Sequence, residues 1–364
     1  MARVLHLDLG REMRGGQRQV LYLARRQRIS GRVEPLAACP AGSPLAAALA
    51  AEGAEVLALP SGREWDPRNI LRLRRFLSER QVALLHTHDA RAAALGALLK
   101  LLGGRFRLVH SRRVSYAPGR GWGRFKYRLA DLVLAVSAET AEVLAACGAP
   151  RERLAVAHSG IDPSLYPARR PKAPDAPLVI AAVGALTPQK GHEVFLRGLA
   201  ALRDMPGLPA WRARLLGEGP LRGGLESLAA ELGLGDRLEL PGWRESREEL
   251  PDADILAVAS VHGEGSSAVI KEAWACGLPV AASDLPSNLE LVEPGASGAV
   301  FASGDPGALA RALAGLLSDP ALREELAEGG RRRLERFTDA AMAAAVQAGY
   351  ERAFPELFGS PASS

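Results

Sequence analysis

The sequence predicts an α/β protein built from two doubly wound domains that face each other across a cleft. Short apolar runs alternate with longer segments of helical period along the whole chain, which is typical of parallel sheets covered by helices. A segment rich in proline and charge interrupts this series near its middle. The length of 364 residues also exceeds what one hydrophobic core usually supports, so two domains are expected.

In the first series, the apolar runs predict strands of the buried type. They cover residues 4–9, 55–60, 82–86, 107–110, 132–137 and 154–158. The segments between them predict helices over residues 17–27, 45–52, 67–79, 91–102 and 138–147. We therefore expect a first doubly wound domain over residues 1–165.

The segment PSLYPARRPKAPDAP cannot be a helix or a central strand because of its prolines, and it predicts a linker at residues 166–177. A second domain follows over residues 178–338. Its predicted strands are 178–184, 213–217, 237–242, 255–260, 279–283 and 299–302, and its predicted helices are 191–203, 221–232, 267–276, 306–317 and 320–337. The last segment, 339–364, includes a helix over 339–354 that we expect to pack back on the first domain.

Composition favours a globular protein in a reducing compartment. The chain is 48% hydrophobic and 24% charged, with a formal charge of +5, which is too mild for an obligate nucleic-acid-binding protein. Three cysteines without metal-type spacing favour a cytoplasmic location. The first apolar run is too short for a signal peptide and no run is long enough for a membrane span.

One stretch, VHGEGSSAVIKEAWACGLPV at residues 261–280, combines the features of a ligand site. It follows a predicted strand and opens a helix, so its loop lies at the carboxyl end of a strand, where parallel sheets bind ligands. The free amides at the helix start suit an anionic group. Glu264 lies in the loop, and Glu272 can accept paired hydrogen bonds from vicinal hydroxyls. A sugar nucleotide fits such a site; a capped helix with a solvated glutamate is the alternative.

Two further loops suit phosphate. Gly15 and Gly16 allow close approach of the backbone to a ligand just before a helix, with Arg14 and Arg18 beside them. Taken alone, the glycine pair is explained more simply by a plain turn. Lys190 lies at a helix start after the next domain's first strand, which places a point charge for phosphate, or simply a solvated lysine.

Short motifs follow one another from residue 15 to about residue 305. They are MRGGQRQ, VSAETAEVL, HSGID, VGALTPQKG, LLGEGP, LPDADI, EGSSAVIKEAWACGLPVAAS and the following Glu290. In this order and spacing they resemble the large family-4 retaining glycosyltransferases, which have the GT-B fold of two Rossmann-like domains. The two glutamates followed by EAWACG are the specific part of the resemblance.

The resemblance implies roles for individual residues. Glu264, with the amides of Gly265, Ser266, Ser267 and Ala268, would hold the donor sugar's hydroxyls and phosphate. Glu272 would bind the ribose, Lys190 and the Gly15–Gly16 loop the phosphates, and Gly242 with Trp243 the base. His110 would lie near the donor sugar, which makes Glu264 and His110 the expected catalytic residues.

One position departs from the family pattern. The family usually has an arginine where this sequence has Ala185, and this arginine pairs with the lysine on the diphosphate. We expect Arg14, Arg18 or Arg112 to supply the missing charge. His86 and His88 in HTHD could bind a metal, but no third ligand is near them in sequence, so no metal or other cofactor is expected.

A basic and aromatic segment, residues 105–128, marks the acceptor side. Its basic residues are Arg105, Arg107, Arg112, Arg113, Arg120, Arg124, Lys126 and Arg128, with Phe106, Tyr116, Trp122, Phe125 and Tyr127 among them. Such a face suits an anionic lipid surface; a solvated helix face is the alternative, and a single-stranded nucleic-acid site lacks a recognisable module.

The sequence therefore predicts a retaining, metal-independent glycosyltransferase that moves a sugar from a nucleotide sugar to a glycan or glycolipid acceptor. We expect a role in cell-envelope polysaccharide or lipopolysaccharide synthesis, at the inner face of the cytoplasmic membrane. Alternatives are a GT-B sugar-nucleotide epimerase and a non-catalytic relative that only binds nucleotide. A dinucleotide-dependent oxidoreductase lacks its G-x-G-x-x-G after either first strand.

Overall fold

The computed structural model describes residues 1–173 and 175–358, and the chain divides into two compact units. Unit 1 comprises Met1–Gly160 and the chain from Thr338 onward, and unit 2 comprises Ile161–Phe337. Each unit contains one sheet of parallel strands flanked by helices. The predicted α/β class with two doubly wound sheets is confirmed.

The sheet of unit 1 has the strand order β3-β2-β1-β4-β5-β6-β7. Strands β2 and β3 are added on one side of β1 and strands β4 to β7 on the other, so the strand order switches between β1 and β4. The strands are β1 (Ala2–Leu7), β2 (Val33–Pro40), β3 (Glu55–Leu59), β4 (Leu84–Thr87), β5 (Arg107–Arg112), β6 (Leu132–Ala135) and β7 (Leu154–Val156). The helices between them are α1 (Gly15–Ser30), α2 (Pro44–Ala51), α3 (Pro67–Glu79), α4 (Ala90–Leu101), α5 (Trp122–Leu129) and α6 (Ala138–Ala146).

The sheet of unit 2 repeats this arrangement in the order β10-β9-β8-β11-β12-β13. Its strands are β8 (Leu178–Val183), β9 (Trp211–Leu216), β10 (Leu238–Gly242), β11 (Ile255–Val258), β12 (Val280–Ser283) and β13 (Ala299–Phe301). Its helices are α7 (His192–Arg203), α8 (Arg222–Glu231), α9 (Ser246–Glu249), α10 (Ala268–Cys276), α11 (Pro286–Leu289), α12 (Pro306–Ser318) and α13 (Pro320–Leu334).

The chain then returns to unit 1 with α14 (Asp339–Ala353) and α15 (Pro355–Phe358). Helix α14 buries Tyr350 against β6 and α1 in the core of this unit. Its fully buried Asp339 forms two hydrogen bonds of 2.8 Å with the guanidinium of Arg26 on α1. The terminal segment therefore packs on the first unit; its residues 359–364 lie outside the described part of the chain.

Side-chain caps explain why many of these helices begin where they do. Each capping side chain accepts a hydrogen bond from an amide of the first helical turn, which otherwise has no partner within the helix. The caps are Ser43, Asp66, Asp89, Ser137, Asp305, Asp319 and Thr338. Four of these caps, Ser43, Asp66, Asp305 and Asp319, directly precede a proline at the start of the helix, which is a start signal visible in the sequence.

Strand β2 is absent from the prediction. It contains Pro35 and lies between β1 and β3, with Pro35 opposite Val4 of β1. A proline inside an apolar run usually indicates an edge strand or no strand, because it cannot donate a ladder hydrogen bond. The rule is overridden here because β2 is buried along most of its length.

The predicted linker belongs to unit 2. The chain leaves unit 1 after Gly160, before the predicted domain end at residue 165. Arg169 N then donates to Cys276 O at 2.8 Å and Arg170 N to Pro251 O at 2.7 Å, which ties this segment to the body of the unit. Among the described helices, none has the length and apolar character that a membrane span requires.

Candidate functional site

Four loops of unit 2 lie side by side along one edge of its sheet. Because all strands are parallel, the carboxyl ends of β10, β9, β8 and β11 follow one another in that order, at the edge where such sheets bind ligands. Backbone hydrogen bonds of 2.9 Å join neighbouring loops: Gly217 N to Gly242 O, Leu186 N to Glu218 O, and Val261 N to Gln189 O. The loops predicted from separate motifs thus form one continuous surface.

Lys190 and Glu264 form an ion pair in this surface. Lys190 Nζ lies 2.6 Å from Glu264 Oε1, and the Ser260 hydroxyl donates to the same oxygen at 2.5 Å. Glu264 is only 8% exposed. The two residues predicted from motifs some seventy positions apart therefore meet, and each compensates the other's charge.

The start of α10 has no side-chain cap. Ser267 is its N-cap residue, yet it makes no side-chain capping bond, and its buried Oγ has no hydrogen-bond partner in the described chain. The first-turn amides, beginning at Ala268, have no acidic side chain of that turn beside them. A helix start without a cap retains its capacity to bind an anion.

Glu272 lies on α10 one turn beyond this uncapped start. It is 9% exposed, and within the described residues its carboxylate makes no hydrogen bond or salt bridge. A buried carboxylate is costly unless donors satisfy it. Hydroxyl groups of a ligand are donors of the required kind, so its placement agrees with the predicted contact to a ribose.

Gly242 and Trp243 lie at the end of β10, at the far end of the row of loops. Gly242 has φ +83°, a backbone conformation that favours glycine in this tight turn. The Trp243 side chain is 62% exposed. An exposed indole at this edge can stack on a nucleotide base.

The loop after β8 is shaped by Gly191 and His192. Gly191 has φ +63°, and a Cβ on it would lie 2.0 Å from Ala259 O of the neighbouring loop. His192 is within hydrogen-bond reach of Ala185 O, with Nε2 at 3.1 Å. Burial lowers the pKa of His192 to about 4, so the imidazole is neutral at pH 7. The Ala185 position itself is exposed, which leaves space where the family arginine would stand.

In unit 1, the glycine pair opens α1 as predicted from the sequence. No atom lies within 4 Å of a Cβ built on Gly15 or Gly16, so their outer faces are open. Arg14 is exposed and pairs with Glu12, with its Nη2 2.6 Å from Glu12 Oε2. Arg18, on the first turn of α1, is half-buried. Both arginines lie beside the helix start.

Arg112 is engaged within unit 1. It is buried, and its guanidinium donates to Val114 O at 3.2 Å, Tyr116 O at 2.5 Å and Tyr127 Oη at 3.3 Å. The guanidinium also lies over the ring of Tyr116, 5.0 Å from its centre. These contacts give Arg112 a structural role within unit 1, and the phosphate contact expected of Arg14 or Arg18 stays a prediction.

His110 is fully buried at the end of β5. Its Nδ1 lies 2.7 Å from Thr87 Oγ1 and its Nε2 3.3 Å from Lys126 O. Burial, together with the charge of Lys126, lowers the pKa of His110 to about 3. The ring is therefore neutral with both nitrogens engaged, and its catalytic role stays a prediction.

His6 lies next to His86 and His88 in the structure. The sequence alone could not indicate this third histidine. Strand pairing sets His6 of β1 opposite His86 of β4, and the three buried rings form a cluster of metal-ligand spacing. His88 Nε2 lies 2.9 Å from His6 Nδ1, and His6 Nε2 2.7 Å from Gln27 Oε1.

The hydrogen bonds of this cluster argue against a metal. Arg113 Nη2 lies 3.1 Å from His88 Nδ1, and because arginine can only donate, that nitrogen must be the acceptor. His88 therefore carries its proton on Nε2 and donates to His6, which in turn donates to Gln27. A metal on His88 Nε2 would require removal of that proton, so the residues fit a directed hydrogen-bond chain better than a metal site.

Sequence reasoning assigned no function to Ser260 and Lys271. Ser260 ends the apolar run of β11 and looks like the last residue of a strand. Lys271 stands among apolar residues of α10 and is fully buried, with Nζ 2.7 Å from Ser266 Oγ. Its position immediately before Glu272 was the signal available.

Two family models match this chain. The family model described as Glycosyltransferase Family 4 matches residues 13–165. The model described as Glycosyl transferases group 1 matches residues 168–333, which include all four loops of unit 2. Together the two models cover most of the chain.

Curated relatives share about half of their length with this chain. WcaL from Escherichia coli K12, a glycosyltransferase assigned to colanic acid biosynthesis, is 38% identical over 197 residues, which are 52% of this chain and 48% of WcaL. LpsE from Rhizobium meliloti, a lipopolysaccharide core biosynthesis glycosyltransferase, is 34% identical over 173 residues, 46% of this chain and 48% of LpsE.

Solved structures show the same fold. HepE from Anabaena, whose crystal structure is in complex with UDP, superposes with a TM-score of 0.80 at 21% identity, over 97% of this chain and 100% of that chain. This similarity concerns the fold, which is GT-B. With both family models matched in the order of the sequence motifs, the chain belongs to glycosyltransferase family 4.

Proposed function

We propose that the protein is a glycosyltransferase that moves a sugar from a nucleotide sugar to an acceptor, with retention of configuration and without a metal ion. The observation that carries the proposal is the combination on α10 of an uncapped helix start with Glu272, a buried carboxylate without a partner in the described chain. The first suits a diphosphate and the second suits vicinal hydroxyls. A nucleotide sugar presents both groups.

In this proposal the chain itself stabilises the departing diphosphate. The reaction develops negative charge on the leaving group and positive charge at the anomeric carbon. The amides of α10 and the Lys190 ammonium stabilise the negative charge on the leaving group, and the carboxylate of Glu264 lies next to Lys190. A diphosphate that binds Lys190 replaces Glu264 as its partner, and this frees the carboxylate to accept hydroxyls of the donor sugar.

The names of the relatives support a role in the cell envelope. WcaL is assigned to colanic acid biosynthesis and LpsE to the lipopolysaccharide core, so we propose a glycan or glycolipid acceptor in envelope polysaccharide or lipopolysaccharide synthesis. HepE binds UDP in its crystal structure, which makes UDP the first nucleotide to test.

We also propose peripheral contact with the anionic inner face of the cytoplasmic membrane. Trp65, Tyr116 and Phe125 of unit 1 are exposed, and the Trp122 ring lies 5.6 Å from Trp65 and 5.8 Å from Phe125. Exposed arginines on the same segments include Arg63, Arg68, Arg105, Arg107, Arg120 and Arg128. Exposed aromatic rings with arginines suit a lipid interface. Lys126 and Arg112 of the predicted basic face are buried and do not contribute.

The membrane contact is tested by co-sedimentation with vesicles that contain phosphatidylglycerol. We expect retention at low salt, release at high salt, and weaker retention of a Trp65→Ala, Phe125→Ala double variant. The matched control is Ile29→Ala, which removes an exposed apolar side chain from α1. Equal retention of the double variant and wild type would refute this surface.

The donor site is tested by thermal shift with UDP, GDP, ADP, CMP and NAD in buffer with a chelator. We expect one nucleoside diphosphate to stabilise wild type and to lose that effect in Glu272→Ala, because its ribose contact is removed. Glu324→Ala on α13 is the control, since Glu324 is exposed. Stabilisation by NAD alone, or by no nucleotide, would overturn the proposal.

Product analysis distinguishes a transferase from the two alternatives, an epimerase and a non-catalytic relative. A transferase releases nucleoside diphosphate in proportion to glycosylated acceptor, and the anomeric configuration of the new bond reports retention. An epimerase would convert the nucleotide sugar without an acceptor. A non-catalytic relative, which Ala185 favours, would bind the nucleotide and release nothing.

A further inference from the structure

A buried lysine lies directly behind the uncapped start of α10. Lys271 is 0% exposed; its Nζ donates to Ser266 Oγ at 2.7 Å and lies 5.6 Å from the centre of the Phe337 ring. A buried ammonium is costly unless hydrogen bonds and opposite charges compensate it. Burial lowers the pKa of Lys271 to about 7, and the charges of Glu272 and Glu264 act in the opposite direction.

The contact replaces an ordinary cap. In most helices the N-cap hydroxyl bonds to a first-turn amide and fixes the preceding loop. Here the N-cap hydroxyl, Ser267 Oγ, has no partner in the described chain and makes no capping bond. The hydroxyl of the preceding residue, Ser266, is held by Lys271 from the same helix. The loop is therefore fixed while the helix start stays open.

We propose that Lys271 is a positioning residue for the diphosphate of the nucleotide sugar. By holding Ser266, it keeps the Ser267 hydroxyl and the first-turn amides of α10 available to an anionic group, and its positive charge lies immediately behind them. This inference rests on the proposed function and deepens it. It also locates, within unit 2, a positive charge that the exposed Ala185 does not provide.

The decisive variant is Lys271→Met in the full chain, which keeps the length of the side chain and removes its charge and hydrogen bond. Binding is measured by calorimetry with UDP and with uridine, or with the nucleoside diphosphate and nucleoside that the thermal-shift screen selects. We expect affinity for UDP to fall by roughly tenfold or more. Affinity for uridine should be unchanged, because Glu272 remains.

A second variant keeps the proposal testable if Lys271→Met fails to fold. Ser266→Ala removes the hydroxyl that Lys271 holds and leaves the lysine in place, so it should weaken UDP binding and spare uridine. Where both variants fold, their effects on UDP affinity should be less than additive, since both break one contact. Lys126→Met is the matched control, because Lys126 is a buried lysine of unit 1 and should leave UDP binding unchanged.

The outcomes separate this inference from the proposed function. If wild type binds no nucleoside diphosphate, the proposed function fails. If wild type binds UDP and the Lys271 and Ser266 variants bind it equally well, only the positioning role fails. Equal losses for UDP and uridine would also overturn it, because they would indicate general damage to the unit rather than an effect on the diphosphate.

Discussion

Replacement of Lys190 by methionine is expected to destabilise unit 2, because it leaves a buried carboxylate without its cation. Glu264 Oε1 accepts from Lys190 Nζ at 2.6 Å and from Ser260 Oγ at 2.5 Å. Methionine preserves most of the apolar stem but has no charge to offer. In Lys190→Met, Glu264 keeps one hydrogen bond and loses its ionic partner.

The magnitude follows from the burial of the pair. Removal of one partner from a fully buried ion pair costs about 3–5 kcal/mol. The Lys190 side chain is 23% exposed against 9% for that of Glu264, so water screens part of the interaction and we expect about 2 kcal/mol. For a unit of this size, that corresponds to a fall of about 4–8 °C in its unfolding temperature. Addition of Glu264→Gln removes the stranded charge and should restore about 1 kcal/mol.

The assay is differential scanning calorimetry of the ligand-free protein at one pH, with the single and double variants side by side. Arg151→Met is the control, because Arg151 pairs with Glu142 at 2.7 Å while both side chains are well exposed. Its cost should stay below about 1 kcal/mol. The expected role of the buried pair is wrong if Lys190→Met unfolds at the same temperature as wild type. It is also wrong if the additional Glu264→Gln substitution lowers the unfolding temperature further.

Three further predictions concern backbone, charge and pH. Gly191→Ala should lower the free energy of unfolding in urea by at least about 2 kcal/mol, because the φ of Gly191 is +63° and its Cβ would lie 2.0 Å from Ala259 O. The control Gly223→Ala in α8, where no atom lies within 4 Å of the Cβ, should be neutral or stabilising. Equal effects of the two substitutions would contradict the requirement for glycine at position 191. Ala185→Arg should bind UDP more tightly by calorimetry, since the position is exposed in the same loop as Lys190. Unchanged affinity would show that an arginine at this position adds nothing to diphosphate binding. The free energy of unfolding should fall as pH drops below about 6.5. Burial lowers the pKa of His110 to about 3 and of His192 to about 4, so the unfolded chain takes up protons at a higher pH than the folded chain does. Each histidine should lower the free energy of unfolding by up to about 2 kcal/mol at pH 5, and His110→Gln should make stability less dependent on pH.

The loops of unit 2 could be predicted from sequence because a parallel sheet carries every carboxyl end to one edge. The order of the motifs therefore implied that Lys190 and Glu264 would be neighbours, although the chain between them contains three strands, β9, β10 and β11. Their ion pair could not be predicted, since it depends on side-chain conformations and on Ser260. The sequence-based prediction missed strand β2 for a different reason. Pro35 locally disfavours a central strand, but burial of most of β2 outweighs this preference.

The histidine cluster marks the limit of local reasoning. His86 and His88 are visible as HTHD, but their partner His6 lies 82 residues from His88 and is set opposite His86 only by the pairing of β1 with β4. The spacing alone would then suggest a metal. Arg113 argues against this, because a donor-only group at His88 Nδ1 fixes the tautomers of His88 and of His6.

The charges of unit 2 explain why the position of the loop matters more than the number of cations. Lys190 and Lys271 are accompanied by Glu264 and Glu272, all buried or half-buried, so the four side chains carry no net positive charge. A diphosphate is therefore not drawn by a net positive field from these groups. Its binding must come from donors held in place, which are the open amides of α10, the Ser267 hydroxyl and the Lys190 ammonium once it leaves Glu264. In such a site a lysine that only orients a loop can affect phosphate binding as strongly as one that touches the phosphate.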